Sequence, residues 1–155
     1  MYKKNNFVLE KRNPDNSNQS AVLNRIVHHH LIYQSSVGKK FTNGSKENFK
    51  DFLNGLIKVI KMDCLIPAQV ELSHQNAWTG LVGIVTSHIS FHYWVNEGYV
   101  QLDVYSCKDF DRKNAVAFIS DFWDASDIRT LFIDRDIKGD FKIEKNWITE
   151  SDRLI

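Results

Sequence analysis

Apolar residues recur through positions 46–62 at Phe49, Phe52, Leu53, Leu56, Ile57 and Ile60, with lysines between them. That i, i+3, i+4 spacing predicts an amphipathic helix over Lys46–Met62 with one buried stripe. Ser45 stands where a side-chain oxygen caps the first turn. Gly55 lies inside this helix, at a cost of roughly 1 kcal/mol relative to alanine. A second stripe, Ala115, Phe118, Ile119 and Phe122, predicts a helix from Arg112 to about Trp123, capped by Asp111.

Elsewhere the pattern shifts to period two. His29–Gln34 reads as a first strand. Pro67 marks a break after the first helix, and Gln69–Leu72 alternates as a short strand. Leu81–Trp94 is rich in β-branched and aromatic residues and reads as one long strand or two short ones. Asn96-Glu97-Gly98 is a turn. Tyr99–Cys107 then sets Val100, Leu102 and Val104 on one face against Gln101, Asp103, Tyr105 and Cys107 on the other. Thr130–Ile133 is a further short strand. Strands with one buried face, joined by hairpins and interrupted by two amphipathic helices, predict an α+β two-layer sandwich: an antiparallel sheet with both helices on one face. The ordered domain is expected over 26–135. The polar, turn-rich stretch 1–25 reads as a flexible extension, and 136–155 as a charged tail with little assigned structure.

A hydrophobic content of 43% with 25% charged residues suits a single globular domain with its own core. The formal charge is only +1, from 20 basic and 19 acidic residues, so bulk electrostatics favours neither nucleic acid nor a membrane as partner. No apolar run reaches membrane-spanning length, and no apolar stretch follows the basic start Met1–Asn6 as a secretory signal requires. Cys64 and Cys107 are the only cysteines. They are too few for a disulfide framework, although a single bridge between them stays open. A cytoplasmic, reduced setting is expected.

The chemistry concentrates in Thr86-Ser87-His88-Ile89-Ser90-Phe91-His92, followed by Gly98-Tyr99 and Leu102-Asp103-Val104-Tyr105-Ser106-Cys107. Serine, histidine and cysteine side chains act as nucleophiles or proton carriers. Taken singly, each has a structural reading: a strand serine is ordinary, and a strand cysteine is usually a small buried hydrophobe. His88 and His92 share a strand face, whereas a metal-binding histidine pair at this spacing belongs on a helix. The tract His28-His29-His30 would alternate between faces. No metal is expected.

Taken together, these residues resemble the signature of the prokaryotic-type, pyruvoyl-dependent S-adenosylmethionine decarboxylase proenzymes. In that family Glu-Ser-His is followed by Ile-x-Ile-His-x-Trp, Gly-Tyr and Leu-Asp-Val-Phe-x-Cys, and the match from Ser87 to Cys107 needs no gap. It is close over about thirty residues and looser from about 28 to 133. The resemblance implies that the Ser87 hydroxyl attacks the Thr86 carbonyl, forming an ester whose elimination separates residues 1–86 from an α chain headed by a pyruvoyl group derived from Ser87. Its ketone would form a Schiff base with the substrate amine and take up electrons as CO2 leaves. By the same resemblance His92 removes the proton that drives elimination, Thr79 assists processing, and Cys107 returns a proton to the substrate carbon. A homodimer with sites near the subunit interface is implied, acting on a small-molecule substrate in spermidine biosynthesis.

The sequence also departs from the pattern. Thr86 replaces the glutamate, and its β-branch stiffens the chain before the nucleophile. Asn96 stands where a glutamate binds the nucleoside ribose. It can accept one bond without the charge, and Glu97 follows it. Ser73 replaces a phenylalanine that stacks on adenine, for which Trp78, Phe41 or Tyr33 could offer a ring. Cofactor-forming positions are thus kept while nucleoside-binding ones change. That pattern also suits a decarboxylase of arginine or ornithine on the same scaffold, or an unprocessed homologue serving as a binding or regulatory subunit.

Overall fold

The computed structural model describes residues 27–42, 44–135 and 140–148; the predicted N-terminal extension lies outside them. The helical stripes fold as the spacing dictates. Helix α1 spans Lys46–Val59, and the Ser45 hydroxyl accepts the Asn48 backbone N–H at 3.2 Å. It stops short of Met62 because Lys61 turns left-handed, with φ at 54°. Helix α2 spans Arg112–Phe122, and the Asp111 carboxylate accepts the Asn114 N–H at 3.0 Å. Gly55 has a packing reason: a Cβ there would lie 2.7 Å from the Phe118 ring of α2.

Seven strands are present among the described residues: β1 (His29–Ser36), β2 (Cys64–Leu72), β3 (Ala77–Ile84), β4 (Ser87–Trp94), β5 (Tyr99–Ser106), β6 (Ser126–Asp134) and β7 (Lys142–Ile148). They form one antiparallel sheet in the order β2-β3-β4-β5-β1-β6-β7. Alternation puts Leu31 and Tyr33, Ile89 and Phe91, and Val100, Leu102 and Val104 on the face covered by the helices. Phe49 of α1 centres this core, with Trp78, Phe91 and Trp123 ring centroids 5.1, 5.3 and 5.4 Å away. Fully burying each such side chain stabilises the fold by about 1.5–3 kcal/mol. The predicted two-layer α+β sandwich is the observed architecture.

Three boundaries differ from the sequence reading. Pro67 lies within β2 rather than before it. β2 is an edge strand whose register slips between Cys64 and Ile66 and again between Ile66 and Gln69, so a residue without an N–H is tolerated there. The stretch 81–94 is two strands, folded back at Val85-Thr86, and β3 begins earlier, at Ala77. Within the charged tail, Lys142–Ile148 pairs along β6.

Candidate active site

Val85 and Thr86 form a two-residue hairpin tip between paired Ile84 and Ser87. Tight hairpins usually place glycine or asparagine there at positive φ, the geometry that follows strand twist. Neither Val85 nor Thr86 has positive φ. Neighbouring segments hold the tip instead. The Val85 N–H donates to the Asp63 carbonyl at 3.0 Å, and the Thr86 carbonyl accepts the Cys107 N–H at 3.0 Å. The Thr86 hydroxyl lies 3.1 Å from Ser106 Oγ, which itself donates to the Lys108 carbonyl at 2.7 Å. Both the carbonyl and the side chain before Ser87 are therefore fixed.

Cys107 follows the last residue of β5. Its Sγ lies 3.8 Å from the Tyr105 hydroxyl and 4.0 Å from His28 Nδ1, and those two polar atoms are 2.5 Å apart. The Tyr105 ring is flanked by His28 (6.0 Å, stacked), His30 (5.9 Å, edge-on) and His88 (5.6 Å). The Arg135 guanidinium sits 4.4 Å from its centroid. Sequence reasoning missed His28, Tyr105 and Arg135. The available signal was Tyr105 in place of the signature's phenylalanine. The histidine tract splits, as alternation requires. His28 meets Tyr105, and His30 Nε2 lies 3.2 Å from Asp103. His29 sits between Asp109 at 3.0 Å and Asp134 at 3.8 Å.

Thr79 and His92 are cross-strand partners on the face away from the helices, with Thr79 Oγ1 3.0 Å from His92 Nδ1. His92 is five residues from Ser87 along β4, about 16 Å at strand rise. It also points to the opposite face, since Ser87 shares the parity of buried Ile89 and Phe91. The structure thus brings the Thr86 carbonyl, next to Ser87, against the Cys107 backbone, and Thr79 and His92 together, while the Cys107 thiol turns to the Tyr105 face and His92 stays remote from Ser87.

Asn96 Oδ1 accepts Asn76 Nδ2 at 2.8 Å, tying the β2–β3 and β4–β5 turns to each other, whereas Glu97 is exposed. The aromatic substitutes for the adenine platform are occupied in the core. Tyr33 is fully buried with its hydroxyl 3.0 Å from Ser120 Oγ, and Phe41 and Trp78 pack on Phe49. The Ser73 hydroxyl accepts the Gln75 and Ala77 N–H groups of its own turn. A groove of 1040 Å³ lies elsewhere, between α2 and β6–β7, and is lined by none of the predicted site residues.

Residues 30–136 match the family model described as S-adenosylmethionine decarboxylase. The S-adenosylmethionine decarboxylase proenzyme of Pyrococcus abyssi is 38% identical over 63 residues, covering 40% of this chain and 45% of that protein. That of a Sulfurihydrogenibium species is 34% identical over 61 residues, covering 39% and 45%. The chain thus spans under half the length of these curated relatives. The crystal structure of the adenosylmethionine decarboxylase from Aquifex aeolicus superposes with a TM-score of 0.56 at 21% identity, covering 81% of this chain and 95% of that one, a likeness of fold.

Proposed function

The chain belongs to the S-adenosylmethionine decarboxylase family, and from that premise we propose a self-processing decarboxylase that cuts itself between Thr86 and Ser87 and acts on S-adenosylmethionine. The observation that carries this reading is the bond from the Cys107 N–H to the Thr86 carbonyl. It aims a donor at the oxygen that gains charge when Ser87 Oγ attacks. It also sets the Cys107 backbone beside the bond to be cut.

In this reading the hairpin tip holds the Thr86 carbonyl while the Ser87 hydroxyl adds to its carbon. The peptide bond becomes an ester, elimination leaves Thr86 with the carboxylate and a dehydroalanine at 87, and water then displaces its nitrogen as ammonia to leave the ketone. The pyruvoyl group so formed would supply an electron sink for the bond to CO2. The donor set fits it: a hydroxyl and a polarised carbonyl stand where β4 begins, and the Cys107 thiol follows the adjoining end of β5. Cys107 then gives its proton to the substrate carbon.

His92, as the base for elimination, must come from a second copy, because its own strand carries it away from Ser87. A homodimer joined through the uncovered sheet face, where Thr79 and His92 are exposed, meets that need. Glu97 takes over the ribose-binding carboxylate role, since the Asn96 carbonyl oxygen is engaged by Asn76. No described helix is long and apolar enough to cross a membrane; a cytoplasmic setting is part of the proposal.

Intact mass and a denaturing gel of the purified chain test this reading. Two fragments divided before Ser87, the larger N-terminally free and the other blocked, are expected. A single 18.1 kDa chain would overturn it in favour of an unprocessed binding or regulatory subunit. Labelled CO2 release from S-adenosylmethionine, compared with arginine and ornithine, then identifies the substrate.

A further inference from the structure

We propose that Tyr105 and His28 form a proton-return line to Cys107. The proposal rests on the reading of Cys107 as the proton donor, and it concerns how the thiol is restored after each donation. Loss of CO2 from a carboxylate consumes one proton at the substrate carbon. A thiol that supplies it is left as thiolate and must be reprotonated before the next turnover.

The atoms around the sulfur are arranged for this. The Tyr105 hydroxyl lies 3.8 Å from Cys107 Sγ, within reach of a bond to sulfur, and 2.5 Å from His28 Nδ1. Tyr105 has little freedom to turn away. Register places it opposite His30 on β1 and His88 on β4, and the Arg135 guanidinium covers its ring. The Arg135 N–H in turn donates to the His28 carbonyl at 2.8 Å, fixing the backbone that carries the imidazole.

The proton inventory sets the direction of each bond. While Cys107 is a thiol, its S–H and the His28 Nδ1–H both donate to the Tyr105 oxygen; once it is a thiolate, the Tyr105 O–H turns to donate to sulfur. After Cys107 has given up its proton, His28 Nε2 takes a proton from solvent as its Nδ1 proton moves to the Tyr105 oxygen and the Tyr105 proton moves to the thiolate. One solvent proton is delivered per CO2 released, Cys107 and Tyr105 return to their starting states, and proton exchange with solvent returns His28 from the Nε2–H to the Nδ1–H tautomer. Tyr105 and His28 are positioning residues, since they act through Cys107. Phenylalanine at 105 would keep the ring packing and lose only the hydroxyl.

The test uses the full chain with Cys64→Ser, which leaves Cys107 as the sole thiol. Alkylation by iodoacetamide at neutral pH is followed by intact mass, and it reads out on cut or uncut chain alike. Tyr105→Phe is expected to slow alkylation about 3- to 10-fold, the effect of one hydrogen bond donated to a charged acceptor less the gain in nucleophilicity that a freed thiolate brings, with an unchanged thermal midpoint. His28→Asn should slow it less. An equal or faster rate in Tyr105→Phe overturns the proposal, even if the chain is never cleaved.

Where the chain is cleaved and turns over, a second measurement applies. A proton delivered to the former Ser87 carbon leaves the substrate nitrogen on the chain as an alanine end and releases the substrate as an aldehyde, with water supplying its oxygen. Tyr105→Phe should raise the fraction of α chains ending in alanine per CO2 released while leaving the extent of cleavage unchanged. An equal fraction in the two proteins overturns the proposal.

Discussion

At one end of β4, Ser87 leaves a hairpin tip whose carbonyl, hydroxyl and neighbouring thiol are all held by defined partners. At the other end, His92 stands exposed on the opposite face with Thr79 as its hydrogen-bonding partner. The first region is internally organised, and the Thr86 carbonyl is held by a backbone bond. The second offers a basic group directed outward, away from Ser87 of its own chain. In the proposed reaction, eight residues of strand would therefore carry two half-sites that strand geometry keeps apart within one copy.

The largest expected effect tests the Ser87 end alone. Ser87→Ala should abolish cleavage, leaving a single band on a denaturing gel; residual cutting at the same bond would remove Ser87 as nucleophile. Next, His92→Ala by itself should slow cleavage by about 10²- to 10⁴-fold, the usual worth of a positioned base. Co-production with a size-tagged Ser87→Ala chain should restore cutting in the His92→Ala chain, because each partner supplies what the other lacks. If cutting is not restored, the two halves do not meet across an interface.

Phe91→Ala, midway along β4, should lower stability by about 3–5 kcal/mol in urea unfolding and weaken both ends together. Its ring lies over Gly80, where a Cβ would come within 2.1 Å of it. Asn96→Ala removes a bond at the His92 end only. About 1 kcal/mol or less of stability should be lost, with unchanged cleavage. The smallest effect concerns Tyr93, whose phenol is pushed above its ordinary value by burial. Below pH about 10 the neutral phenol is favoured in both states and its contribution is intact. As pH rises further, the unfolded chain ionises first, so stability falls. Tyr93→Phe should flatten that alkaline decline in the urea midpoint.

Local pattern revealed much of this molecule. Both helices, their caps at Ser45 and Asp111, and the two faces of β5 follow from spacing alone, because a buried stripe must recur with the period of its element. The intervals among Ser87, His92 and Cys107 carried the resemblance to the family that the chain belongs to. Features that depend on distant chain were hidden. Val85-Thr86 has no glycine or asparagine to announce a turn, since Asp63 and Cys107 hold it from outside. Pro67 could enter a strand only because that strand is an edge. β7 reads as isolated apolar residues among charges until β6 is there to pair with it. The separation of His92 from Ser87 appears only when parity along β4 is counted, and the Tyr105 cluster requires β1 to lie beside β5.

That placement of β1 has a consequence for the molecule after a cut at Thr86–Ser87. The fragment 1–86 would carry β1, β2, β3 and α1, and the remainder β4 to β7 and α2. Because β1 is inserted between β5 and β6, the two pieces are dovetailed rather than merely abutted, and neither can slide free without dismantling three ladders. The chain folds once as a unimolecular event. After the cut, recovery from denaturation becomes a bimolecular encounter that slows on dilution, so the order of folding before cutting would be written into the assembled protein as a kinetic one-way step.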